Sequence, residues 1–290
     1  MTVQAAQGRW RENALRAVAL IGVASALTTG TAAIPAQAAT AGVPRGVKYV
    51  AMGSSFAAGP GITPTKPGSP AGCERSADNY ASKVAARLGL ALTDVTCSGA
   101  TTADILTTGQ DGQPPQISAV AADTRLVTVT IGGNDVDYLG SLIDYSCQDT
   151  QRSPCGAVDQ DAIGTALKTV HTKIGDVVAA VHRRAPKAQV LLVNYLTVLP
   201  TSGVCSGVPL TAAQAGFERN VAARLRSATQ QAAAAQRATV IDAASASIGH
   251  DACSATPWVE KYDVPSGHTP YHPKPNGMAA VADMITASLG

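Results

Sequence analysis

Short apolar runs alternate with helix-period stretches along this chain, and few folds tolerate that order. The runs are Val47–Gly53, Ala91–Cys97, Arg125–Ile131, Val190–Leu196 and Ala238–Ile241. Each has strand length and is rich in aliphatic or β-branched residues, as a buried strand requires. Between them lie helical patterns. Asp78–Leu88 puts Tyr80, Val84 and Leu88 on one face, and Asp159–Arg184 aligns Ile163, Leu167, Val170, Ile174, Val178 and Val181. Pro186 ends the second of these. A helix from Thr211 opens with the capping pattern Thr211-x-x-Gln214 and should bury Phe217, Val221 and Leu225. The last, near Gly277–Leu289, should bury Met278, Val281 and Ile285.

Strands separated by helix-length crossovers run parallel and are covered on both faces. The expected fold is therefore α/β: a single doubly wound, flavodoxin-like, three-layer α/β/α domain with a mainly parallel five-stranded sheet. No repeat, low-complexity tract or interdomain linker interrupts it. In such folds the site lies beyond the carboxyl ends of the strands, here the first three.

The first 38 residues are read as a signal peptide that is removed. Arg9, Arg11 and Arg16 precede an uncharged apolar run, Ala17–Leu27, and small residues lead to Ala36-Gln37-Ala38. That run is too short for a membrane anchor. Trp10 separates Arg9 from Arg11, so no twin-arginine signal is present, and no cysteine follows the cleavage point to carry a lipid. Cleavage is expected after Ala38, leaving 39–290 as the exported domain, without an integral membrane segment. The removed part carries three arginines and Glu12, a surplus of two that equals the +2 of the whole chain. The remainder is near neutral, so no charge surplus points to a nucleic-acid or anionic-surface partner, and none is expected. A monomer is expected.

All six cysteines, Cys73, Cys97, Cys147, Cys155, Cys205 and Cys253, lie in the exported part. An even number in such a chain implies disulfides, and six residues allow fifteen pairings. Zinc is the alternative, but no C-x-x-C or suitably spaced histidine is present.

The three leading strands deliver polar residues to one edge. The first runs into Tyr49-Val-Ala-Met-Gly-Ser-Ser-Phe-Ala-Ala-Gly59 and presents Ser54 and Ser55. The second presents Ser98-Gly99 in C-S-G-A-T-T, and the third Gly132-Gly133-Asn134-Asp135. Acyl transfer to a serine needs a hydroxyl, a base and donors aimed at the developing oxyanion. Glycine lets a backbone N–H approach substrate, and an Asn amide adds side-chain donors. Asp135 is read as structural.

Five histidines could supply the base. His171 falls on the polar face of the long helix, His182 at its C-terminal end, and His250 in a loop beside Asp251. His268 and His272 are four apart, but Pro270 and Pro273 forbid a helix there, and no Glu completes H-E-x-x-H. No metal or other cofactor is expected. His272 precedes Pro273 in a loop entering the last helix, well placed to swing over the sheet edge.

Four segments in order, Y-V-A-M-G-S-S-F-A-A-G, C-S-G-A-T-T, T-I-G-G-N-D and Y-H-P-K-P-N-G-M, together resemble the SGNH (GDSL-type) hydrolase family. More narrowly they resemble its exported bacterial lipases and esterases with three disulfides. The resemblance implies Ser55 as nucleophile and His272 as base. It implies an oxyanion hole made by the N–H groups of Ser55 and Gly99 and the Asn134 side chain. It further implies the disulfides Cys73–Cys97, Cys147–Cys155 and Cys205–Cys253. Two departures stand out. Ser54 replaces the usual Asp before the nucleophile, and Thr269 stands where D-x-x-H would place an Asp. Some exported relatives orient the His with a main-chain carbonyl, so a Ser–His dyad supported by the carbonyl of Thr269 or Pro270 is expected. Asp263 folding back is the alternative.

The expected function is a secreted serine esterase or lipase acting on lipid or short acyl esters. Competing readings are a carbohydrate or cell-wall glycan O-acetyl esterase, a non-catalytic secreted binding protein on the same fold, and attack by Ser54 instead. Trp258 either packs under the long loop or lines an acyl pocket with Phe56 and Leu139.

Overall fold

The computed structural model describes residues 43–150 and 154–290, and the signal segment expected at 1–38 lies outside them. In chain order the elements are β1 (Lys48–Gly53), α1 (Ser55–Ala58), α2 (Tyr80–Leu88), β2 (Ala91–Asp94), α3 (Thr102–Leu106), β3 (Thr124–Thr130) and α4 (Tyr138–Asp149). Then follow α5 (Gln160–Arg184), β4 (Gln189–Val193), α6 (Ala212–Gln236), β5 (Thr239–Ile241), α7 (Ala243–Ala246) and α8 (Pro275–Leu289).

The five strands form one sheet in the order β2-β1-β3-β4-β5, and every pairing is parallel. This is the doubly wound order, with its switch point between β1 and β3. Right-handed crossovers place α2 on one face and α5 and α6 on the other. α8 packs on α2, and α5 on α6, completing three layers. β1, β3 and β4 are buried through almost their whole length, as strands covered on both faces must be. β1 and β3 stay in register from Tyr49↔Leu126 to Gly53↔Thr130, so their ends emerge side by side.

Local chemistry sets the helix limits. Asp159 accepts from the Ala162 N–H at the start of α5, and Thr211 and Gln214 form the expected capping box at α6. Pro275 occupies the first turn of α8, where its missing N–H costs nothing. No helix among the described residues is long and apolar enough to cross a membrane. Disulfides join Cys73 to Cys97, Cys147 to Cys155, and Cys205 to Cys253.

Two expectations need correction. The sequence pattern leaves out α4, which buries Tyr138, Leu139, Leu142 and Tyr145. In α6, Phe217 is only half-buried, edge-on to Tyr145, while Glu218 is fully buried. The inward stripe runs Ala215, Glu218, Val221, Leu225 and Ala228, and Phe217 lies one position off it.

Candidate active site

The end of β1 is a forced turn. Gly53 has φ +136°, and a Cβ there would lie 2.4 Å from the Thr130 carbonyl oxygen, so only glycine fits beside β3. Its peptide is gripped on both sides by one amide: Gly53 N–H donates to Gln116 Oε1 at 2.8 Å, and Gln116 Nε2 donates to the Gly53 carbonyl at 3.1 Å. Ser54 N–H donates to Thr130 O at 2.9 Å. The chain then turns into α1, whose first residue is Ser55.

His272 comes from the irregular segment before α8. Its Nε2 lies 2.8 Å from Ser55 Oγ, and its Nδ1 2.8 Å from the carbonyl oxygen of Pro270. A carbonyl only accepts, so Nδ1 carries the proton and Nε2 presents its lone pair to the serine hydroxyl. Tyr271, between them, has φ +61°, a left-handed conformation that turns the Pro270 carbonyl back toward the ring. The Thr269 carbonyl is engaged elsewhere, accepting the His272 backbone N–H at 3.3 Å. Burial pushes the imidazole pKa down to about 4, opposed by the Pro270 bond, so the ring is neutral at neutral pH.

The remaining predicted donors gather on the neighbouring strand ends. Gly99 (φ +79°) sits in the turn after β2. Asn134 donates through Nδ2 to the Ala100 carbonyl at 2.8 Å, which ties the loop after β3 to that turn and leaves a second amide hydrogen. Among the described residues the N–H groups of Ser55 and Gly99 have no protein acceptor. Asp135 is structural in its contacts: it accepts from Thr102 N–H (3.0 Å) and Oγ1 (2.6 Å) at the start of α3.

Sequence reasoning missed Tyr195, just beyond β4. Burial pushes its pKa up to about 12, so it keeps its proton. Its hydroxyl accepts the Gly133 N–H at 2.8 Å and lies 3.3 Å from Ser54 Oγ, bridging the loops after β1 and β3. Phe56 packs between the Tyr195 and His272 rings, at centroid distances of 4.9 and 5.4 Å. Ser54, in the place of the family's Asp, is thus engaged with Tyr195 and not with a base. Trp258 stacks on His250 at 4.2 Å. Beyond Tyr195 lies a mostly apolar cavity of about 330 Å³, lined by Leu196, Val198, Leu199 and Leu225, with Glu218 in its wall.

Residues 51–280 match the GDSL-like lipase/acylhydrolase family. This chain belongs to that family. Membership makes it a carboxylic-ester hydrolase, and the relatives agree. Lipase 2 of Streptomyces coelicolor is 34% identical over 286 residues, covering 94% of this chain and 95% of its own. The extracellular lipase of Streptomyces rimosus, of known structure, superposes with a TM-score of 0.69 at 27% identity over 84% of this chain and all of its own. A phospholipase A1 from Streptomyces albidoflavus shares the fold, with a TM-score of 0.66 at 24% identity over 84% of this chain and 100% of its own. Within this GDSL-like frame, Gln116 and Tyr195 are the supporting residues that motif reading leaves out, because each acts from a distant part of the chain.

Proposed function

We propose that the protein is an exported serine esterase that hydrolyses lipid or short acyl esters through an acyl-enzyme on Ser55. One observation carries this reading: a serine hydroxyl 2.8 Å from a neutral imidazole whose other nitrogen is fixed by a carbonyl. In the first step Ser55 Oγ attacks the ester carbonyl carbon while its proton passes to His272 Nε2. The tetrahedral oxyanion is met by the Ser55 and Gly99 N–H groups and the Asn134 amide. Collapse gives the acyl-serine, and His272 returns the proton to the departing alcohol. Water then attacks the acyl-serine with the same base, releasing the acid and restoring Ser55 Oγ–H.

The Pro270 carbonyl keeps the correct tautomer, which is much of what an acid contributes in a triad. It offers only a dipole to the imidazolium formed during reaction. Relatives named lipases favour acyl chains over sugars. Export is supported by the signal-like first 38 residues, the three disulfides and the extracellular lipase among the similar structures.

Mass spectrometry after fluorophosphonate treatment tests the proposal. A single adduct is expected on Ser55, and Ser55→Ala should lose both the adduct and about 10⁵–10⁶-fold in kcat on p-nitrophenyl esters. An adduct that persists in Ser55→Ala, or sits on Ser54, overturns it. An acyl-chain series beside acetylated glycans identifies the preferred ester.

A further inference from the structure

A carbonyl can replace an acid behind His272 only if the loop carrying it holds still. That loop has no regular secondary structure, yet it is fastened at many points. Residues 258–261 run antiparallel beside 271–274. Lys274 N–H donates to Trp258 O (2.8 Å), Glu260 N–H to His272 O (2.8 Å), and Tyr271 N–H to Lys261 O (3.1 Å), with Val259 and Pro273 bridged between them. On the inner side the Tyr271 hydroxyl lies 2.6 Å from Ser146 Oγ of α4, both residues being buried.

The outer side is held by one residue. Glu260 Oε1 accepts from His268 Nδ1 at 2.7 Å, and Oε2 accepts from Lys274 Nζ at 3.1 Å. These partners stand on either side of Pro270–His272, so a single carboxylate spans the turn that contains both the imidazole and its acceptor. The Glu260 side chain is only 11% exposed, against 42% and 32% for His268 and Lys274. A shielded carboxylate with two charge-capable donors holds geometry better than an exposed pair, whose worth is near zero.

Resting on the Ser55–His272 reading, we propose that Glu260 is a positioning residue for His272. It splints the turn from behind, so that the Pro270 carbonyl stays in line with Nδ1 and Nε2 stays in reach of Ser55. It touches neither the substrate nor the reacting atoms. Its backbone N–H and its carboxylate act on the same turn, one at His272 itself and one at the flanks.

The test is steady-state kinetics of Glu260→Ala and Glu260→Gln, assayed well below their melting temperatures. A displacement of about 1 Å at a reacting group costs on the order of 10²-fold. Glu260→Ala should therefore lose about 10–100-fold in kcat with KM within about twofold, and Glu260→Gln, which keeps an acceptor, should recover part of the loss. The rate of fluorophosphonate labelling at Ser55 should fall in the same ratio, because that reaction also uses His272. Wild-type kcat in folded Glu260→Ala, even with a lowered melting temperature, overturns the proposal. If that variant does not fold, the double variant His268→Ala, Lys274→Met decides: a matching kcat loss supports the role, and an unchanged kcat overturns it. Failure of the underlying reading is seen separately, as labelling that survives Ser55→Ala.

Discussion

The two halves of the candidate site are built by different means. Ser55 stands where a buried central strand meets a helix. Its turn is fixed by Thr130 of the adjacent strand, by the Gln116 amide on Gly53, and by Tyr195 beside Ser54. His272 stands on irregular chain, held by a short antiparallel ribbon, by a left-handed Tyr271 and by a carbonyl two residues back. The sheet edge supplies a rigid frame on one side, and local hydrogen bonds supply it on the other. Preorganisation can thus come from secondary structure or from a well-fastened loop.

The largest single effect in this comparison should come from the sheet side. Asn134→Ala removes a proposed oxyanion donor together with the bond to Ala100, and should cost about 10²–10³-fold in kcat with little change in KM. A rise in KM alone would move Asn134 out of the oxyanion hole. Gln116→Ala leaves the buried Gly53 N–H without an acceptor, while the Gly53 carbonyl keeps the Cys97 N–H at 3.0 Å. A loss of about 1–3 kcal/mol by denaturant titration is expected, with kcat lowered about tenfold as Ser55 loses its alignment. If stability drops and kcat does not, the turn is held by its strand neighbours alone.

The same division governs how much of the molecule is legible in its sequence. Strand–helix alternation gives the sheet because a strand buried on both faces writes itself as an apolar run. The serine turn, Gly99 and Asn134 are equally local, since each follows directly on a strand. Gln116 and Tyr195 carry no such mark. Their value lies in contacts 63 and 141 residues away, with Gly53 and Ser54 respectively. Thr269 and Pro270 cannot be separated in sequence, because carbonyl direction depends on the φ of Tyr271. Glu218 escapes notice because a buried carboxyl contradicts the hydrophobic pattern used to orient α6. Burial pushes its pKa up to about 8, which keeps it neutral at neutral pH.

The histidine half makes a pH prediction. His272 has a folded pKa of about 4, below the ordinary value of 6.5. The proposed base is therefore competent down to acid pH, and the acid limb of kcat/KM should fall near pH 4, with about tenfold loss for each further unit. Stability follows the same sign. As pH drops through 6.5 the unfolded chain takes up a proton that the folded ring refuses. His272 therefore costs stability progressively between pH 6.5 and 4, up to about 3 kcal/mol, and contributes no pH dependence above that window. An acid limb near 6.5 would mean that the ring is charged more easily than its burial implies.

The smallest effect is expected where an acid would ordinarily matter most. The backbone N–H groups of Tyr262 and Asp263 donate to the Gly207 carbonyl, at 2.9 and 3.3 Å, where the chain leaves the ribbon that holds His272. The Nδ1 proton has one place to go, and the Pro270 carbonyl occupies it at 2.8 Å. Asp263→Asn keeps the side-chain shape and removes only charge. It should leave kcat within about twofold and the acid limb unmoved, since no proton on the imidazole depends on that carboxylate. A thousand-fold loss in the folded variant would make Asp263 a third member of the proton relay. It would also erase the difference between the two halves of the site, because the histidine would then be held by charge and not by the geometry of its own loop.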